Sequence, residues 1–193
     1  MKTPEENISK WVDDGNTRSD IARKLFLILP TVVFLDKPDD QYRVYSQLCA
    51  AFSMPISSIE IVGSAKTGFS LWKGHLFAPG TSDLDIGIVD GTLFLKMFEA
   101  AFSASKGFSD ESVFSSKKDA NQFKWNLNHG ICVPRLMPRC PEKTKWLLLF
   151  GALSRENKNL FSSVSAYIYA SEKFFEMKQI AAIDKFLAQK GIE

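Results

Sequence analysis

Asp83 and Asp85 are separated by one apolar residue within Ser82-Asp83-Leu84-Asp85-Ile86-Gly87-Ile88. On an extended strand, residues i and i+2 project to the same face, so this spacing sets two carboxylates side by side. Like charges at that range repel, and a divalent cation between them relieves the repulsion. Hard oxygen donors from one strand suit Mg2+ or Mn2+, which makes Asp83 and Asp85 candidate metal ligands and candidate catalytic groups. An edge strand also carries charge simply to resist pairing. What favours chemistry is the upstream run Ile61-Val62-Gly63-Ser64-Ala65-Lys66-Thr67-Gly68. Gly63 leaves the backbone open to a ligand, Ser64 adds a hydroxyl, and a helix starting there would turn N–H groups toward phosphate oxygens. Ser64 would also serve as a plain helix cap. Gly63, Ser64 and Lys66 are therefore the candidate nucleotide-binding residues, with Lys66 neutralising phosphate.

Together, Val62-Gly63-Ser64 and Asp83-Leu84-Asp85-Ile86 resemble the signature of the DNA polymerase β-type nucleotidyltransferase superfamily: an apolar residue, Gly, Gly or Ser, a spacer, then Asp, an apolar residue, and Asp or Glu. The likeness covers residues 58–90, and the spacer is longer than usual, so a loop must extend between Gly68 and Ser82. Closing a longer loop costs little, because the penalty grows only logarithmically. The resemblance implies that Ser64 binds the terminal phosphates of a nucleoside triphosphate such as ATP, and that Asp83 and Asp85 hold Mg2+. The implied activity moves a nucleoside monophosphate to a hydroxyl acceptor, on a small molecule, a protein side chain or an RNA end. It also implies a third carboxylate on a later strand. The strand expected within Gly130–Val133 carries no acid and runs into Arg135, which leaves Asp119 as the acid put forward. The alternative is a catalytically degenerate module that acts through a protein partner, as in small nucleotidyltransferase-like antitoxins and phage-defence regulators.

The elements that must position these groups are legible as changes of period. Ile21, Leu25, Ile28 and Leu29 follow a helical spacing after Ser19-Asp20 and stop at Pro30. Val44, Leu48 and Phe52 predict a second helix from Asp40 to before Pro55. Ser58–Val62 and Leu84–Val89 alternate as strands, Leu71–Thr81 reads as a loop, and Leu93–Phe102 as a buried helix. Ser103–Ser116 reads as mobile. From Asn159 onward, Phe161, Val164, Ile168, Phe175, Ile183 and Leu187 predict one long helix or two. The expected class is α/β or α+β, a short mixed sheet flanked by helices with a helical C-terminal part. The expected divisions are residues 1–55 as an N-terminal helical segment, 56–150 as the core and 151–193 as C-terminal helices, all in one compact unit.

Composition narrows the function classes. Of the 193 residues 45% are apolar and 24% charged, with 16 Phe, which is a folding composition and not a disordered one. No apolar run approaches the roughly 18 residues of a membrane span. MKTPEENISK has acids where a secretory leader carries bases, so a cytoplasmic address is expected. Cys49, Cys132 and Cys140 lack the spacing of a zinc site, and GxxxxGK[ST] is absent. The net charge is +2, yet Lys117, Lys118, Lys124, Arg135, Arg139, Lys143 and Lys145 gather against only Asp119 and Glu142 between residues 113 and 150. Such a segment either faces phosphates or is a solvated surface. Trp125, Trp146, Phe150, Phe161, Tyr167, Tyr169, Phe174 and Phe175 are expected in the core, with one of them available to stack on a base.

Overall fold

The computed structural model describes residues 3–192. Near the N-terminus, α1 (Pro4–Asp13) and α2 (Arg18–Arg23) both start with capping boxes, Thr3 with Glu6 and Thr17 with Asp20. Each box satisfies two N–H groups that helix geometry leaves unpaired. The cap of α2 is thus Thr17, two residues ahead of the Ser19-Asp20 start expected from sequence. A π-helical turn, Lys24–Ile28, carries the chain to Leu29, where Pro30 ends it. Then come α3 (Pro38–Phe52), β1 (Ile59–Val62), the one-turn α4 (Gly63–Thr67), β2 (Leu84–Val89) and α5 (Gly91–Ala104). The second half contains α6 (Lys117–Asn128), β3 (Ile131–Cys132), α7 (Pro141–Glu156), β4 (Val164–Tyr169) and α8 (Glu172–Lys190).

The four strands form one mixed sheet in the order β1-β2-β4-β3. Strand β2 runs antiparallel to β1 and parallel to β4, and β3 closes the far edge antiparallel to β4. This is the expected α/β class, helices around a short mixed sheet. The C-terminal expectation needs correction at one place, because Val164–Tyr169 is a central strand and not part of a helix. Its Val164, Ala166 and Ile168 are buried and alternate with half-buried Ser165 and Tyr167, a period of two. The four-residue step from Val164 to Ile168 fits either period, which is why the longer apolar series read as helix.

The core lies on both sides of that sheet. Leu84, Ile86 and Ile88 of β2 are fully buried and belong to one continuous cluster with Ile168, Trp146 and Phe150 of α7, and Phe175 and Ile183 of α8. Losing several methyl groups at such a site costs about 2–5 kcal/mol, so the strand bearing the acids is firmly anchored. The chain ends meet: Arg23 pairs with Glu176 at 2.9 Å, Arg18 with Asp184 at 3.1 Å, and the Phe26 ring meets the edge of Phe175. Residues 68–77 fold back as a short hairpin with Phe69 opposite Leu76. It docks on α8 through the Lys185 ammonium, 3.6 Å from the centre of the Trp72 ring. Among the described residues, no helix is long and apolar enough to cross a membrane.

Candidate active site

Val62, the last residue of β1, stands directly opposite Asp85 in the ladder. The next residue therefore turns over the Asp85 carboxylate. Gly63 has φ +65°, the left-handed region where a side chain is strained, and a Cβ there would lie 3.2 Å from Asp85 Oδ2. Glycine is required by backbone conformation and by the neighbouring oxygen together. Val62 is the cap residue of α4, which puts half-buried Ser64 inside the first turn and removes simple capping as its role. Its hydroxyl has no protein partner among the described residues.

Asp83 is exposed and Asp85 half-buried. Both are held by serines, two just before β4 and one within it. Ser162 and Ser163 hydroxyls donate to Asp83 Oδ1 at 2.6 and 2.7 Å, and Ser165 donates to Asp85 Oδ1 at 2.9 Å. Among the described residues, neither Oδ2 accepts a hydrogen bond. Burial raises the proton affinity of Asp85 above the ordinary carboxylate range, the Ser165 bond pulls it back, the Asp83 charge raises it further, and Lys73 on the hairpin opposes the rise. The two acids thus feel one another, and the inserted loop brings a cation toward them.

The position facing the pair from the neighbouring strand is occupied by serine. Ser165 and Asp85 are direct partners in the parallel ladder of β2 and β4. The later strand expected within Gly130–Val133 is β3, which pairs with β4 and is separated from β2 by it. Asp119 lies near the start of α6, where its charge acts on Lys143. The helical spacing of Phe161, Val164 and Ile168 hides the three serines; the run Ser162-Ser163-Val164-Ser165 is the signal the sequence offers for them.

Lys66 is not with the other candidates. Its side chain is buried at 5% exposure, and its ammonium donates to the Leu29 carbonyl at 2.7 Å. Side chains two apart on a helix do not share a face, so one turn cannot aim Ser64 and Lys66 at one ligand. Lys66 instead faces Glu60 of β1. Burial pushes the Glu60 carboxyl up to about 7, with Lys66 pulling it down and Glu172 adding to the rise. Because the native state holds this proton more tightly than the unfolded chain, stability increases as pH falls from 7 toward 4.5 and declines as pH rises through 7. Discounted for solvent screening of a half-buried group, the loss by pH 8 is about 1–2 kcal/mol. Glu60→Gln should flatten that dependence in urea midpoints measured between pH 5 and 8, and an unchanged slope would assign it elsewhere.

The donor set is all oxygen: two carboxylates and a serine hydroxyl. It fits one hard divalent cation whose other positions go to phosphate and water. Among the described residues, no three His, Cys, Asp or Glu side chains are grouped to hold a metal ion by themselves. Comparison with protein-family models, with curated proteins and with solved structures returns no match.

Proposed function

We propose that this chain binds a nucleoside triphosphate with one Mg2+ or Mn2+ at Ser64, Asp83 and Asp85, and transfers the nucleoside monophosphate to a hydroxyl acceptor. The observation that carries the reading is the contact between the glycine turn and the acid pair, 3.2 Å from a Gly63 Cβ position to Asp85 Oδ2. It joins two sequence-distant motifs in one place. The cation supplies charge neutralisation for the triphosphate. The chain's own groups do the remainder: Ser64 Oγ donates to a phosphate oxygen, the free Oδ2 atoms of Asp83 and Asp85 anchor the metal-bound tail, and Lys73 balances negative charge. The acceptor oxygen attacks the α-phosphorus, the bond to the β-phosphate oxygen breaks, and pyrophosphate leaves. The acceptor's proton passes to water, since the residue abreast of Asp85 is a serine and not a base.

A second reading, a nucleotide-binding module that regulates a protein partner, is favoured by that same Ser165. Incubation with Mn2+ and NTPs labelled on the α-phosphate, with RNA and protein acceptors, separates the two. Transfer of label that Asp83→Ala and Asp85→Ala abolish supports the enzyme. Metal-dependent NTP binding without transfer supports the module, and Mn2+-dependent NTP affinity that survives both substitutions overturns the site itself.

A further inference from the structure

Strand β4 continues from the acid pair into a second site. Tyr167 lies two residues beyond Ser165 and so projects to the same face, about 7 Å farther along the strand. There it lines a cleft of about 420 Å³ walled by α6, the edge strand β3, the turn after it and α8. That volume is in the range of small-ligand sites. Its charge is uneven: Lys118, Arg135 and Lys178 converge on it against Asp119 alone.

These cations are not absorbed by the protein. Much of the basic segment is, because Lys124 pairs with Glu111, while Arg139, Lys143 and Lys145 donate to the carbonyls of Ser112, Met137 and Ala51. Lys118, Arg135 and Lys178 are exposed and make no ion pair or side-chain hydrogen bond among the described residues. The aromatic lining is equally distinctive. Trp125 was expected in the core, yet it is 51% exposed. Its ring lies on the His129 ring with centroids 4.0 Å apart, and the His129 Nδ1–H donates to the Trp125 carbonyl at 2.7 Å, so the indole is braced in place at the cleft.

We propose that this cleft binds a nucleotide, with its phosphate on Arg135, Lys118 and Lys178 and its base against Trp125 or Tyr167. An anion alone would need only the cations, and an apolar ligand would not be matched to them. A planar base carrying phosphate uses both, and base-on-aromatic stacking is the usual device for holding an unpaired base. Asp119 and Gln122 then accept from or donate to ribose hydroxyls and base edges. As the acceptor site, a role that rests on the proposed transfer activity, the cleft holds the nucleotide whose hydroxyl receives the transferred group. That nucleotide is either the end of a single-stranded RNA or a free mononucleotide.

The test uses the intact chain with two probes, a short fluorescently labelled single-stranded RNA and a free nucleoside monophosphate, without NTP. Trp125→Ala should weaken binding by about 5- to 150-fold, the range for loss of one stacked base. Arg135→Glu with Lys178→Glu should weaken it at least 10-fold, and the RNA's salt dependence should become shallower by roughly the two lost phosphate contacts. All three residues are exposed, so circular dichroism is expected to show folded variants. RNA binding far tighter than the monophosphate identifies an RNA end, and equal binding identifies a free nucleotide. Asp83→Ala should leave cleft binding intact while transfer disappears. Cleft binding in a wild-type chain without transfer would therefore defeat the proposed activity and leave the nucleotide cleft standing. Failure of both probes to bind, or binding that none of the cleft variants alters, overturns the proposal.

Discussion

Replacing Ser165 with aspartate is expected, on the proposed transfer activity, to raise the rate of Mn2+-dependent label transfer by about 10²–10⁴-fold, the usual contribution of a positioned general base. Ser165 is the direct partner of Asp85 in the ladder and its hydroxyl already touches Asp85 Oδ1 at 2.9 Å. An aspartate there keeps the strand and places a third carboxylate where an acceptor proton has none to go to. The substitution carries its own cost, because like charges opposite one another on adjacent strands repel and a hydrogen bond to Asp85 is lost. Without a dication this variant should be less stable by about 1 kcal/mol. Added Mg2+ should restore its thermal midpoint by more than it moves the wild type's, since a ligand that binds only the native state stabilises it. Ser165→Asn, similar in size and uncharged, should show neither the rate gain nor the Mg2+ response. A folded Ser165→Asp variant that binds Mg2+ better but transfers no faster would show that the missing base is not what limits the reaction.

The parts of the site visible in the sequence are those fixed by local geometry. A strand has period two, so Asp83-Leu84-Asp85 had to place both acids on one face and Leu84, Ile86 and Ile88 on the other, and the structure buries those three completely. Gly63 after a β-branched run had to be a turn. What the sequence hid is pairing order. Nothing in residues 130–135 or 164–169 says which strand lies against β2, and the later strand expected within Gly130–Val133 is separated from it by β4. That pairing sets Ser165 abreast of Asp85. Lys66 departs from its expected place for a different reason. Its distance from Ser64 in the chain is short, but one helical turn points the two apart, and only burial against Leu29 and Glu60 reveals where the ammonium goes. Trp125 likewise followed an apolar expectation that long-range packing overrode, because α6 buries Ala120 and Phe123 and leaves the indole outward.

Gly63→Ala is expected to destabilise the protein and impair nucleotide binding together, by two separable causes. A side chain held at φ +65° costs about 1–2 kcal/mol, since Cβ then crowds the carbonyl. The same Cβ sits 3.2 Å from Asp85 Oδ2, tighter than an ordinary contact, so the carboxylate must move away from the turn. Moving it strains the Ser165 bond and withdraws the oxygen assigned to the cation. A double-mutant cycle separates the effects. In an Asp85→Ala background the crowding disappears, so Gly63→Ala should then cost only the conformational part, and the coupling between the two positions should fall in the 0.5–3 kcal/mol range of residues in contact. Urea unfolding of the four proteins gives that coupling without any assay of activity. Additive effects would mean that the turn and the acid do not meet in solution, and the junction of the two motifs, on which the nucleotide site is built, would be lost with it.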